Sequence, residues 1–150
     1  MTITYKTGDI FTSEADALAQ GCNTAGIMAS GIAEQFAERF PVMFQNYHQK
    51  CLSGTFTSGT GHIFQNPQKP HVINLATQGE DREAKLEYID SCFNWMKQAL
   101  PNTEIQKVAM PRIASGLGGL VWEDVNELLE SHFKDHKELE IELWSRNGNY

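Results

Sequence analysis

Apolar and polar positions follow two spacings along the chain, and the change from one to the other marks strands and helices. Alternation over residues 2–5 and 139–144 predicts half-buried strands. Short apolar runs predict four more strands, at 15–23, 59–64, 71–76 and 106–110. Helical spacing predicts helices at about 32–40, 42–52, 83–100 and 121–134. Because strands and helices alternate, the pattern predicts a three-layer α/β domain.

Glycine-rich or polar segments follow three of the predicted strands. They are residues 23–33, Thr77 with Gln78, and residues 115–119. Ligands of open α/β sheets bind at the carboxyl edge of the strands. A glycine-containing turn that leads into a helix presents unpaired backbone N–H groups to an anion. The two glycine-containing segments, 23–33 and 115–119, are each equally typical of an ordinary tight turn. Together they predict a clamp on a diphosphate.

The overall composition narrows the class of ligand. The chain has 150 residues, a net charge of -7 and a pI of about 5.1. This length is typical of one domain with one full core. An acidic protein does not bind nucleic acid by general electrostatics, because neutralising phosphates requires a basic surface. An anionic small molecule held by backbone N–H groups remains compatible with this charge.

Cysteine and histidine spacing bears on redox state and metal binding. Cys22, Cys51 and Cys92 are widely spaced and odd in number, which predicts a reducing, cytoplasmic setting. His132 and His136 are four residues apart, a spacing more typical here of an exposed helix end than of a metal site. We therefore expect no metal and no cofactor. No apolar run approaches the roughly 18 residues that span a membrane.

Three segments taken together resemble the macrodomain, an ADP-ribose-binding module. They are the turn Gly8-Asp9-Ile10-Phe11, the segment 23–33, and the string P-R-I-A-S-G-L-G-G-L-V-W at 111–122. The last string is similar to one branch of the family. That branch includes terminal ADP-ribose glycohydrolases, macrodomains of DNA-ADP-ribosylation antitoxins and ADP-ribose-1''-phosphate phosphatases. The similarity runs in order along nearly the whole chain. It implies a single macrodomain over residues 1–150, with a three-layer α/β/α fold and a central mixed sheet.

The resemblance also implies roles for individual residues. Asp9 would accept a hydrogen bond from the adenine amino group, and the Ile10 N–H would meet an adenine ring nitrogen. Asn23 would face the distal ribose and act in catalysis. The other expected binding residues are Ser30, Gly31, Ile32 and Ala33 on one side of the diphosphate, Ser115, Gly116, Leu117, Gly118 and Gly119 on the other, Thr77 and Gln78 at the strand edge, and Trp144 beside adenine.

The residues themselves leave other interpretations open for three of these positions. Asp9 is also typical of a turn cap, and Trp144 of ordinary packing on an edge strand. Cys22 next to Asn23 suggests a nucleophile, but its sequence neighbourhood offers no histidine partner, which favours a buried small residue.

Two positions depart from the pattern of the terminal glycohydrolases. Gln78 stands where those enzymes use a nucleophilic lysine, and Gly118 where they use an aspartate. An amide cannot form a Schiff base, and glycine supplies no carboxylate. The resemblance therefore implies a hydrolase without a protein nucleophile, in which Asn23 and the substrate's own phosphate position a water.

The expected function is binding of ADP-ribose and hydrolysis of a group on its distal ribose. The candidate activities are an ADP-ribose-1''-phosphate phosphatase, an O-acetyl-ADP-ribose deacetylase and a de-ADP-ribosylase. The alternative is a non-catalytic module that binds ADP-ribose or a related signalling nucleotide. The expected partners are ADP-ribose or a derivative and ADP-ribosylated protein or nucleic acid, with no membrane partner. The sequence leaves the oligomeric state open.

Overall fold

A computed structural model describes residues 1–115 and 119–146 of the chain. Six strands lie in this part: β1 (Thr2–Thr7), β2 (Ala17–Cys22), β3 (Gly61–Phe64), β4 (His71–Ala76), β5 (Lys107–Pro111) and β6 (Glu140–Ser145). They form one sheet in the order β1-β6-β5-β2-β4-β3. All pairs are parallel except β3 with β4, so the sheet is mixed.

Four α-helices cover the two faces of the sheet: α1 (Gly31–Arg39), α2 (Pro41–Leu52), α3 (Leu86–Ala99) and α4 (Trp122–Phe133). Short 3₁₀ helices span Ile10–Thr12 and Leu100–Asn102. Phe36 and Tyr47 of α1 and α2 belong to one buried core cluster, and Phe93 and Leu129 of α3 and α4 to the other. The predicted three-layer α/β/α fold is confirmed.

Most elements lie within one residue of their predicted bounds, and the larger differences are at β1, β2, β3 and α3; β3 begins at Gly61, two residues later than predicted. β1 continues to Thr7 because it pairs with β6 as far as Ser145. β2 begins two residues later than predicted, at Ala17. α3 begins at Leu86 rather than near residue 83, because Ala84 forms an antiparallel bridge with Gln78 and Lys85 has extended backbone.

His132 lies in the last turn of α4, as predicted, but the expectation that its side chain is exposed is wrong. Its Nε2 lies 2.6 Å from Oδ1 of Asp90, and only 15% of its side chain is exposed, because α4 packs against α3. In residues 1–115 and 119–146, no three metal-ligating side chains cluster. In the same residues, no helix combines the length and apolarity needed to cross a bilayer.

Candidate functional site

A pocket of about 320 Å³ opens at the carboxyl edge of the sheet, where β1 and β6 end beside the start of α1. The turn after β1 contributes Asp9 and Ile10, the first turn of α1 contributes Gly31 and Ile32, and the end of β6 contributes Trp144. Its remaining lining residues are Gly8, Phe11, Gln35, Pro111 and Arg146. The fold thus brings five of the predicted site residues, distant in sequence, to one pocket.

Asp9 both caps a turn and borders the pocket. Its Oδ1 accepts a hydrogen bond from the Phe11 N–H at 3.0 Å, which begins the 3₁₀ helix. Its Oδ2 lies 3.9 Å from the Arg39 guanidinium, which also stacks over the Phe11 ring at 4.4 Å. The interpretation of Asp9 as a cap is confirmed. About 40% of the side chain remains exposed, so the carboxylate can still accept a further hydrogen bond.

The first turn of α1 carries unbonded donors. Ser30 occupies the cap position but makes no side-chain cap bond. Among the described residues, the N–H groups of Gly31, Ile32 and Ala33 have no hydrogen-bond partner. A Cβ atom on Gly31 (φ 60°) would meet nothing within 4 Å, so the space beside this turn is open. Free N–H groups and the positive end of the helix dipole make this turn suited to an anion.

Asn23 is 8% exposed, and its side chain is mostly occupied by the protein itself. Its Oδ1 accepts from the N–H groups of Ala25 and Ile27 at 3.1 and 3.3 Å and from the Tyr47 hydroxyl at 2.8 Å. Its Nδ2 donates to the Ile27 carbonyl at 2.9 Å. One Nδ2 hydrogen therefore remains for a ligand. The contact of Asn23 with a ribose stays a prediction, and only this N–H is available to make it.

The ends of β2, β4 and β5 meet beside Asn23. A Cβ atom on Gly21 would lie 2.6 Å from Oγ1 of Thr77 and 3.2 Å from Cγ2 of Ile113. The Gln78 N–H donates to the Cys22 carbonyl at 3.1 Å. Thr77 is buried, and its N–H donates to the Leu75 carbonyl at 2.8 Å. These two backbone donors are thus used within the protein.

The glycine-rich segment after β5 begins at the same edge, because β5 pairs with β2. The Ser115 N–H donates to the Arg112 carbonyl at 3.3 Å. Gly119 has a φ of 74° and open space where a Cβ atom would be. Gly116, Leu117 and Gly118 lie outside the described residues, so their roles remain predictions. The two predicted clamp segments therefore leave adjacent strands.

The indole of Trp144 is oriented by a buried carboxylate. Its Nε1 donates to Oε1 of Glu142 at 3.1 Å, and the same oxygen accepts from the Ser13 hydroxyl. Glu142 is buried on β6, and Ser13 follows the 3₁₀ helix. β6 lies between β1 and β5, so the expected packing of Trp144 on an edge strand is wrong. The indole lines the pocket instead.

Two arginines near the pocket were missed by the sequence interpretation. Arg146 lines the pocket, and Arg39 pairs with Asp9 at its rim. Arg146 is two residues beyond Trp144, a spacing that places both on one face of an extended strand. That spacing could have identified Arg146, whereas the contact of Arg39 depends on the packing of α1.

The three cysteines are free, and none is poised as a nucleophile. Burial raises the pKa of Cys22 well above its usual value and that of Cys92 to about 12. Burial also raises the pKa of Cys51. A thiol without thiolate character at neutral pH is a poor nucleophile. The interpretation of Cys22 as a buried small residue is confirmed.

Comparisons with known proteins show which sequences are similar to this chain. The family model described as Macro domain matches residues 19–129. A DNA ADP-ribosyl glycohydrolase of Mycobacterium tuberculosis is 34% identical over 150 residues, covering 97% of this chain and 43% of that protein. An ADP-ribose 1''-phosphate phosphatase of Lodderomyces elongisporus is 29% identical over 147 residues, covering 87% of this chain and 92% of that protein. The chain thus spans less than half the length of the glycohydrolase relative.

Solved structures share the fold. The macrodomain of Mycobacterium tuberculosis DarG matches with a TM-score of 0.90 and 33% identity, covering 97% of this chain and 99% of that chain. Thermosipho africanus DarTG in complex with ADP-ribose matches with a TM-score of 0.87 and 20% identity, covering 96% of this chain and 41% of that chain. At that identity the second likeness concerns the fold alone.

Proposed function

The chain belongs to the macrodomain family, and from this premise we propose that it binds ADP-ribose and hydrolyses a group attached to the distal ribose. The proposal rests on one observation: a helix turn suited to phosphate and a polar and aromatic wall suited to a base line the same pocket. The open first turn of α1 faces the space that Asp9, Ile10 and Trp144 border, and its first N–H groups have no partner within residues 1–115 and 119–146. A nucleoside diphosphate needs both an aromatic and polar site for its base and donors for its phosphates.

The ligand lies along the carboxyl edge of the sheet in this proposal. Adenine lies beside Trp144 and donates its amino group to Asp9, while the Ile10 N–H, unbonded among the described residues, meets a ring nitrogen. The diphosphate lies at the N–H groups of residues 31–33. The sequence resemblance alone assigns the contacts on its other side to residues 115–119. The distal ribose then reaches Asn23, with Thr77 and Gln78 beyond it.

The chemistry proposed is addition of water across the bond between the distal ribose and its substituent. Gln78 and Gly118 supply neither an amine nucleophile nor a carboxylate. Asn23 contributes one N–H, which orients a ribose hydroxyl or the attacking water. The N–H donors around the diphosphate hold the substrate so that its distal ribose lies in a fixed position relative to the attacking water. The candidate substrates are ADP-ribose-1''-phosphate, O-acetyl-ADP-ribose, and ADP-ribosylated protein or DNA.

A binding module without turnover is the second candidate. The observation that favours it is the commitment of the Asn23 oxygen to three internal hydrogen bonds. An oxygen used in this way cannot accept a proton or a hydrogen bond from water. Such a module would bind ADP-ribose, or a related signalling nucleotide, free or attached to protein or nucleic acid.

Calorimetry and turnover assays separate these outcomes. Calorimetry with ADP-ribose is expected to show saturable binding, and absence of binding at millimolar ligand would remove both candidates. Each candidate substrate is then incubated with the protein, and the released group is measured. Release from at least one substrate supports the hydrolase, and binding without release of any group supports the binding module.

A further inference from the structure

The segment between β2 and α1 folds around the side chain of one residue. Asn23 accepts from the N–H groups of Ala25 and Ile27 and donates to the Ile27 carbonyl. These bonds close a small ring of backbone about its carboxamide. The orientation of the carboxamide therefore sets the shape of this segment, which we call the Asn23 loop (residues 23–28).

α2 lies under the Asn23 loop and contacts it through two consecutive residues. The Tyr47 hydroxyl lies 2.8 Å from both the backbone oxygen and Oδ1 of Asn23. Nδ1 of His48 lies 3.1 Å from the Gly26 carbonyl. A Cβ atom on Gly26 (φ 83°) would lie 2.8 Å from that same nitrogen, so the loop sits closely on α2. None of these α2 side chains lines the adenine pocket.

Tyr47 is suited to hold a neighbour in one orientation. It is 1% exposed, and its ring packs against Phe56 and Phe44 with centroids 5.5 and 6.1 Å apart. Burial raises the pKa of Tyr47 above its usual value, so the hydroxyl remains a donor at physiological pH. Its single hydrogen is shared between the two oxygens of Asn23. Together with the N–H groups of Ala25 and Ile27, it favours the orientation of the carboxamide in which Oδ1 faces these donors and Nδ2 faces away.

We propose that Tyr47 is a positioning residue for the distal-ribose end of the site. Its hydroxyl fixes the carboxamide of Asn23, and the remaining Nδ2 hydrogen is thereby presented to the distal ribose. The inference rests on the proposed function, because it takes ADP-ribose as the ligand. It adds Tyr47, a residue of α2 that does not touch the ligand. Tyr47 acts by orienting Asn23, which does.

Comparing two ligands tests this role. ADP has the adenine, the first ribose and the diphosphate, but it lacks the distal ribose. The variant Tyr47→Phe keeps the ring and removes the hydroxyl. We expect about a tenfold loss of ADP-ribose affinity, the scale of one hydrogen bond, with ADP affinity unchanged within about twofold. Tyr5→Phe, at an exposed tyrosine on β1, is the matched control and should change neither affinity.

A double-mutant cycle identifies the partner of Tyr47. In the Asn23→Ala background, Tyr47→Phe should cause no further loss of ADP-ribose affinity, because the group that it positions is absent. Additive losses, or equal losses for ADP and ADP-ribose, would show a general structural effect and overturn the inference. Equal affinities of the wild-type protein for ADP and ADP-ribose would also overturn the inference, because the distal ribose would then contribute nothing to binding. Failure of the wild type to bind either ligand would instead remove the proposed function itself.

Nuclear magnetic resonance of the wild-type protein provides a test that does not depend on the folding of a variant. The side-chain amide signals of Asn23 should shift on addition of ADP-ribose and remain in place on addition of ADP. Identical spectra with the two ligands would contradict the proposed presentation of Nδ2.

Discussion

Gly21 leaves no room for a side chain, because a Cβ atom there would lie 2.6 Å from Oγ1 of Thr77. The close approach joins the carboxyl ends of β2 and β4, where the Asn23 loop begins. We expect Gly21→Ala to lower the free energy of unfolding by about 1–3 kcal/mol, the usual cost of overpacking. Urea denaturation followed by circular dichroism measures it.

Adding Thr77→Ala to that variant provides the internal control. It removes the nearest atom, so part of the lost stability should return, although Ile113 remains 3.2 Å away. A double variant with the full sum of the two separate losses would show that the contact with Thr77 is not the cause.

Trp144 should report on adenine binding. We expect ADP-ribose to quench the fluorescence of the wild-type protein and the quench to disappear in Trp144→Phe, because Trp144 is the tryptophan that lines the pocket. Trp144→Leu should weaken binding several-fold, since an aromatic contact contributes about 0.5–1.5 kcal/mol. Trp95→Phe is the matched control, because Trp95 packs against Gly61 on β3. A quench that survives in Trp144→Phe and is lost in Trp95→Phe would contradict this assignment.

Asp16 should make stability depend on pH. Burial alone would raise its pKa, but hydrogen bonds from the N–H groups of Gln106 and Lys107, at 2.9 and 3.0 Å, and the charges of Lys69 and Lys107 hold it below its usual value. A depressed pKa in the folded state stabilises the protein above the unfolded pKa. This contribution is lost as the pH falls through the folded pKa.

The expected result is a pH-dependent difference between wild type and Asp16→Asn. The variant should have a lower free energy of unfolding than the wild type near neutral pH. This difference in free energy should shrink as the pH falls below about 4. Urea unfolding at several pH values measures it. Glu14→Gln, an exposed carboxylate two residues away, should show no such convergence. A gap that stays constant down to pH 2 would show that the charge of Asp16 is not responsible.

The sequence predicted the six strands and four α-helices of residues 1–115 and 119–146, because a spacing or a short run of apolar residues marks each of them. It also predicted the carboxyl-edge location of the site, since in parallel strands the following loops meet at one edge. The start of α3 could not be predicted in the same way. Residues 83–85 are compatible with a helix by composition, but Ala84 forms a bridge with Gln78 and Lys85 has extended backbone, so α3 begins only after them.

Sequence patterns also could not predict contacts between residues that are far apart in the chain. Asn23 and Tyr47 are 24 residues apart, and no periodicity links a loop residue with a buried tyrosine on the second helix. The sequence therefore indicated Asn23 as a ligand-facing residue without showing that its oxygen is used internally. The pairing of Arg39 with Asp9 is a similar case, because it depends on how α1 packs against the turn after β1.

The central claim is that the open first turn of α1 holds the diphosphate, and two glycines allow it to be tested. Gly31 and Gly54 have φ values of 60° and 76°, and a Cβ atom on either would meet nothing within 4 Å. Alanine at either position should cost a similar 1–2 kcal/mol of backbone strain. Only Gly31 lines the pocket, whereas Gly54 follows α2.

Calorimetric titration with ADP-ribose of the wild type, Gly31→Ala and Gly54→Ala is the most direct measurement. We predict that Gly54→Ala keeps the wild-type affinity and that Gly31→Ala loses at least about tenfold, because its methyl group occupies the space of the phosphate. Equal affinities of the two variants would contradict the account.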